Sequence, residues 1–420
     1  MENLFLQAAD GADLTDAQME DLLAKALKSR PAPEKVLIIP PDITRSGSYA
    51  GSVTRMLYRL LGGARIDIMP ALGTHAAMTD YEIDKMYGLP KERFLVHRWR
   101  KDVVRLGEVP AGFVREVSEG LMNHGIPVEL NRAIAEPGYD LIISVGQVVP
   151  HEVAGMANYN KNIFVGCGGS DMINYSHFLG ALYGMERVMG RDNSPVHQVF
   201  DYAEKTFAAD IPLMYVLTVT TANDHGVGVK SIAAGRDRDL FSRSIKVSQQ
   251  HNLNFLDAPI KNAVAYLDPE KFHTTWLGNK AIYRTRIAMA DGGRLTVIAP
   301  GVKGFGEDAE NDALIRKYGY FGRDKVLALT QSNQDLQDNL SVAAHLIHGS
   351  SDGRFAVTYA AGGLTRAEVE AAGFGYMPID EALRRYDVAG QQDGYNEADG
   401  EEFFFIKNPA AGLWALKDRF

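Results

Sequence analysis

Four short runs of apolar and β-branched residues, 35 to 41 (KVLIIPP), 65 to 70 (RIDIMP), 139 to 146 (YDLIISVG) and 212 to 219 (PLMYVLTV), stop at Gly, Pro or polar clusters. They read as strands buried on both faces. Between them, over 51 to 62, 177 to 188 and 195 to 207, apolar residues return near every third or fourth position, which predicts helices. Strands alternating with helices predict a mainly parallel sheet. A second alternation follows the polar stretch 246 to 260: helix 278 to 291, strand 294 to 299, helices 309 to 318 and 337 to 347, strand 354 to 360 and helix 365 to 372. The expectation is an α/β protein of two domains, 1 to 249 and 250 to 404, with the segment from about 405 to 420 returning to the first. Residues 388 to 400 (VAGQQDGYNEADG) are rich in Gly and Asp and predict a loop.

Composition narrows the function classes. A chain of 420 residues exceeds one ordinary core, and 46% hydrophobic with 23% charged residues is a globular balance. No apolar run long enough to span a membrane is visible, so the expected location is the cytoplasm. The single cysteine, Cys167, excludes an internal disulfide framework and a cysteine-based zinc cluster. A net charge of −9 argues against nucleic acid or an anionic membrane as partner. A small anion still fits if a few basic residues converge.

Several stretches carry candidate chemistry. PPDITRSGS, 40 to 48, follows a strand and precedes a helix, where backbone N–H groups with Thr44, Arg45, Ser46 and Ser48 suit an anion. The alternative is a capped helix with Asp42 and Arg45 as a local ion pair. In ALGTHAAMTDYE, Gly73, Thr74 and His75 leave a strand, while Thr79 and Glu82 have capping-box spacing. His97 ends a short apolar run and by itself reads as a structural histidine. In SVGQVVPHEVAGMANYNKNIFVGCGGSDMINYSH, His151, Lys161 and His177 lie in a segment dense in Gly and Asn, a composition that suits backbone packed around a bound group. Lys161 suits covalent attachment, and the histidines suit bases or metal ligands, without a zinc signature. Trp276 and Lys280 share a helix face at i and i+4 near a helix start. GSSDG, 349 to 353, matches a serine-hydrolase pattern in the wrong context, between helix and strand. His345 and His348 suit the end of a helix, and Cys167 reads as a small buried thiol.

Taken together, DITR at 42 to 45, GTH at 73 to 75, His97, PHEVAG at 150 to 155, Lys161, His177 and the WLGNK and DGG run resemble the lactate racemase family, over about residues 36 to 306. The resemblance implies two α/β domains with the active site in the cleft between them, and a nickel-pincer nucleotide (nickel-pyridinium-3,5-bisthiocarboxylic acid mononucleotide) as cofactor. It implies that Lys161 joins the pincer through a thioamide and that His177 is the one protein ligand to nickel. The pincer's two sulfurs and ring carbon then complete a square-planar site. His97 and His151 resemble the two bases that flank the substrate, each taking the hydroxyl proton of one stereoisomer while the α-hydrogen leaves as hydride. Asp42, Thr44, Arg45, Gly73, Thr74 and His75 resemble residues holding the nucleotide; Arg45, Trp276 and Lys280 resemble residues holding the substrate. The enzymes that build this cofactor become implied partners.

The lactate enzymes of the family generally carry Gly-Gly-Arg-Lys at the attachment lysine, where Tyr159-Asn160-Lys161 stands here, and tend to have Tyr-Gln where Trp276-Leu277 stands. The segment is more similar to homologues associated with aldonic acids, the gluconate and mannonate 2-epimerases. Asn158, Tyr159, Asn160, Asn174 and Tyr175 are candidate hydrogen-bonding partners of a polyol chain. Three other readings remain: a lactate, malate or other short 2-hydroxy acid racemase, a zinc-dependent hydrolase or lyase built on His75, His97 and His151, and a sugar-acid-binding protein without catalysis.

Overall fold

Strands that read as continuous apolar runs are strands covered on both faces, and Val36, Leu37, Ile38 and Ile39 all lie without solvent contact in the protein's central sheet. The structure is a computed structural model and describes residues 2–223, 226–410 and 412–420. By its contacts the chain forms two units, Met1–Tyr183 with Val188–Asn252, and Gly184–Arg187 with Leu253–Phe420.

The first unit is built on a six-stranded sheet in the spatial order Leu4–Gln7, Gly226–Gly235, Leu213–Asn223, Leu141–Gln147, Lys35–Ile39, Arg65–Ile68. The last four are mutually parallel and the first two pair antiparallel. Helix Asp16–Lys28, opened by a Thr15–Gln18 capping box, buries Met19, Leu22, Leu23 and Ala26. Helix Ala50–Leu60 buries Val53, Met56 and Leu57 in the same core. Helix Pro195–Phe207 matches its expected span because Ser194 caps it and Pro195 suits the first turn. The helix expected over 177 to 188 starts earlier, as Ser170–Tyr183, and breaks at Gly184, whose φ of +102° no helix admits.

The second unit has its own sheet in the order Gly375–Tyr376, Phe355–Ala361, Met289–Ala299, Ile260–Tyr266, Glu401–Ile406, Gly394–Ala398, parallel except for its last pair. Three expectations change here. The helix predicted over 278 to 291 shrinks to Thr275–Gly278 and Lys280–Thr285, because Met289 already enters a strand that pairs with its neighbours. The predicted loop 388 to 400 contains the edge strand Gly394–Ala398, whose hairpin partner Glu401–Ile406 supplies the hydrogen bonds that its polar composition conceals. The segment expected to return to the first domain stays in the second unit, where Leu413–Leu416 pairs in parallel with Leu253–Leu256. Among the described residues, no helix is long and apolar enough to cross a membrane.

Gly51 gives a test of the packing. Replacing a helical glycine with alanine ordinarily stabilises by about 1 kcal/mol, but a Cβ at Gly51 would stand 2.2 Å from the Met86 carbonyl oxygen. Gly51→Ala is therefore expected to lower stability by roughly 1–3 kcal/mol, read from the urea midpoint of the first unit. A raised midpoint would show that this contact does not constrain the fold.

Candidate active site

From Lys35–Ile39 the chain passes outward to Arg65–Ile68 and later places Leu141–Gln147 on the opposite side of Lys35–Ile39. Where the order of strands reverses, the loops leaving the C-terminal ends diverge and open a crevice, the usual ligand position in such sheets. Both of the sequence's richest motifs leave strands at this point.

The first loop, after Ile39, contains Asp42, which is buried and caps the 3-10 turn Ile43–Ser48 by accepting from the Thr44 N–H at 3.1 Å and the Thr44 hydroxyl. Its second oxygen meets His75 Nδ1 at 2.5 Å, so His75 rather than Arg45 is the ion-pair partner of Asp42. Burial would raise the Asp42 pKa, but the His75 bond and charge, together with Thr44 and Arg45, outweigh it and hold the carboxyl below its usual range. The Tyr87 hydroxyl donates to the Pro41 carbonyl. Thr218 and Thr220 anchor the far end of the loop by donating to the Ser48 and Gly47 carbonyls at 2.8 and 2.9 Å. Gly73, at φ +55°, donates its N–H to the Gly166 carbonyl at 2.9 Å, tying the 73–75 turn to the lysine segment. Thr74 and His75 are exposed.

The second loop, after Gln147, is pinned to both strands: Asn162 Nδ2 donates to Ser144 Oγ at 2.9 Å and to the Ile39 carbonyl at 3.3 Å. Pro150–His151 and Gly155–Met156 form a small hairpin. Gly155 sits at φ +90° with the Val188 and Arg191 carbonyls 2.7 Å from where a Cβ would be. Gly180, on the helix that carries His177, packs equally close to the Val153 carbonyl, at 2.3 Å from its own Cβ position. These contacts leave room only for glycine, and they bring the His151 hairpin against the His177 helix.

Each candidate ring has a defined hydrogen-bond role. His177 Nδ1 donates to the Ile173 carbonyl at 2.6 Å, which leaves the Nε2 lone pair available to a metal. His151 Nδ1 accepts from the Val153 N–H at 3.1 Å, so the neutral ring carries its proton on Nε2. Burial, reinforced by Lys161, Arg45 and His177, lowers the His151 pKa well below its ordinary value. Burial, then Lys161, brings His177 to about 4. Burial, then Arg45, brings Lys161 from 10.5 to about 8. Arg45 thus acts on His151 and Lys161, Lys161 on both histidines, and His177 on His151, while Glu152 acts in the opposite direction on all three titrating groups. Glu152 lies inside PHEVAG, yet the sequence assigns it no role of its own, because its effect comes only from its neighbours.

His97 stands apart from this cluster. Its Nδ1 accepts from Asn131 Nδ2 at 2.9 Å and its Nε2 donates to the Gly168 carbonyl at 3.1 Å, so both nitrogens are in use. The structure therefore presents no free nitrogen of His97 for proton transfer. Zinc on His75, His97 and His151 loses support for the same reason, since Asp42, Asn131 with Gly168, and Val153 hold the three rings separately. Two of the expected polyol partners are also committed. The Tyr159 hydroxyl donates to the Arg236 carbonyl at 3.0 Å with its ring stacked on Phe241. Asn160 bonds Asp201 at 2.5 Å and His197 at 3.2 Å. Cys167 is buried, which pushes its thiol pKa up and makes it inert.

In the second unit Trp276 stacks on His345 at 4.2 Å between ring centroids. Tyr283 and Tyr320 hydroxyls meet the two nitrogens of His345 at 2.8 and 2.9 Å, so this histidine is a buried hub and its ring caps no helix end. Trp276 and Lys280 are both half-buried, on two successive short turns divided at Asn279.

Comparison with known proteins agrees with this architecture. Residues 11–190 match the lactate racemase N-terminal domain. The lactate racemase of Thermoanaerobacterium thermosaccharolyticum is 23% identical over 325 residues, 72% of this chain and 70% of that protein. A crystal structure of a Thermotoga maritima protein superimposes with a TM-score of 0.83 at 24% identity, covering 98% of this chain and all of that one. The lactate racemase apoprotein of T. thermosaccharolyticum superimposes with a TM-score of 0.68 at 17% identity over the same shares of the two chains. The matched stretch contains Arg45, His151, Lys161 and His177, and over residues 11–190 the chain is similar to the N-terminal domain of the lactate racemase family.

Proposed function

We propose that this protein is an isomerase that inverts C2 of a 2-hydroxy acid, preferably a sugar acid in the manner of D-gluconate and D-mannonate, using a nickel-pincer nucleotide held by Lys161 and His177. The observation that carries the reading is the cluster of Arg45, His151, Lys161 and His177 at the reversal of strand order, where burial lowers the pKa of both histidines and of the lysine. The donor set fits the group. His177 offers a neutral imidazole nitrogen, fixed by the Ile173 bond, and Lys161 offers an amine that is half unprotonated near pH 8, as an acyl linkage requires. When bound, the cofactor supplies an acceptor and donor of hydride for the substrate carbon.

The chain's own residues do the rest. Arg45 neutralises anionic charge at the crevice. His151 hydrogen-bonds the C2 oxygen through Nε2–H; acting as a base there requires the other tautomer, reached when Nδ1 leaves the Val153 amide. His97 serves as the second base only by giving up its bond to the Gly168 carbonyl. Asp42, Thr44, Gly73, Thr74 and His75 shape the nucleotide side. Tyr159 and Asn160 support the loop through Arg236, Asp201 and His197. A cytoplasmic location suits the single thiol and the need for cofactor-synthesis enzymes.

The deciding experiment is proton NMR in D2O of D-gluconate with enzyme co-expressed with the cofactor-synthesis enzymes and supplied with nickel, with lactate and malate in parallel. Mannonate that retains its C2 hydrogen is expected. Deuterium at C2 would indicate carbanion chemistry and defeat the hydride mechanism, and inversion of lactate or malate alone would keep the reaction and replace the substrate. Lys161→Ala and His177→Ala are expected to abolish turnover, and His151→Ala to lower kcat by about 10²–10⁴-fold. Turnover surviving in the first two variants would count against the cofactor.

The Lys161 amine gives a test by pH. Because its pKa is lowered from 10.5 to about 8, the nucleophilic form grows as pH rises through 8. Acylation of Lys161 in the cofactor-free protein, followed by mass spectrometry, is expected to reach half its maximal rate near pH 8. A midpoint near 10.5 would mean that burial and Arg45 do not act on this amine.

A further inference from the structure

Asn158 precedes Lys161 by three residues, and the protein does not use its side chain. Its Oδ1 and Nδ2 are both buried without a hydrogen-bond partner, and the residue is only 7% exposed. An unmade hydrogen bond inside a protein is costly, and most buried amides find partners. Every other amide of this loop does: Asn160 bonds Asp201 and His197, and Asn162 bonds Ser144 and Ile39.

Two further features show that the position is built rather than tolerated. Asn158 and Tyr159 are consecutive non-glycine residues at φ +74° and +56°, a left-handed conformation that asparagine accepts more readily than tyrosine. Tyr159 is held there by the Arg236 carbonyl and by packing on Tyr215 and Phe241. Space for the amide depends on Gly146, where a Cβ would stand 2.3 Å from Asn158 Nδ2. Gly146 is the penultimate residue of Leu141–Gln147, at the strand end where the order of strands reverses.

We propose that Asn158 is a ligand-binding residue of this site, its carboxamide donating to one oxygen and accepting from the other of a vicinal hydroxyl pair. Such a pair comes from the ribose of a bound nucleotide or from the polyol chain of a sugar acid. The proposal rests on the functional reading above for its ligands and on the buried amide for its residue.

The test compares the cofactor-free wild type with Asn158→Gly. Glycine accepts φ +74° without strain and removes only the amide, so the thermal midpoint is expected to hold or rise. Each protein is titrated calorimetrically with nicotinic acid mononucleotide and with D-gluconate. A dissociation constant raised roughly tenfold for the nucleotide alone assigns Asn158 to the ribose; the same rise for gluconate alone assigns it to the substrate. Unchanged constants for both probes, or a wild type that binds neither, overturn the proposal. Failure of the functional reading shows separately, as nickel-loaded enzyme that inverts no acid while the titrations still depend on Asn158.

Discussion

The parallel pairing of Lys35–Ile39 with Leu141–Gln147 is the constraint on which the site depends. Two strands running the same way deliver both of their following loops to the same edge of the sheet, and reversal of strand order there keeps those loops from crossing. One loop brings Asp42 and Arg45, and the other brings His151 and Lys161. The Asn162 amide spans the junction by bonding Ser144 on one strand and Ile39 on the other, so the lysine segment is registered against both. Without that pairing, the four groups belong to loops far apart in sequence.

Bringing an arginine, a lysine and two histidines together in a chain of net charge −9 makes a local basic island. Burial and mutual repulsion then remove protons from the groups that can lose them. The two imidazoles become neutral and the lysine falls toward neutrality. One electrostatic cause thus produces two neutral imidazoles and a weakly basic amine beside Arg45. Glu152 moderates the effect.

The surroundings of Lys161 are stiff for reasons that concern packing. Tyr159 is sandwiched by aromatic rings, and Asn160 leans on Asp201, which Arg238 also grips together with Asp192. Gly155, Gly168 and Gly180 let backbone pass backbone at distances a side chain would forbid. Polar residues that look like ligand-binding groups in the sequence are here spent on holding the loop, which leaves Asn158 conspicuous.

Periodicity alone determined the alternating strands and helices and the parallel sheets, because apolar spacing is a local property that the core then satisfies. The spacing of His151, Lys161 and His177 carried the resemblance to the lactate racemase family for the same reason: the residues lie on one continuous segment. The tertiary structure decided what no local pattern carries. It chose His75 over Arg45 as partner of Asp42, engaged both nitrogens of His97, turned a Gly/Asp-rich stretch into an edge strand, and withdrew Tyr159 and Asn160 from the ligand. Each of these rests on a hydrogen bond between residues distant in the chain or on a strand's choice of neighbour, and such partners exist only once the chain has folded.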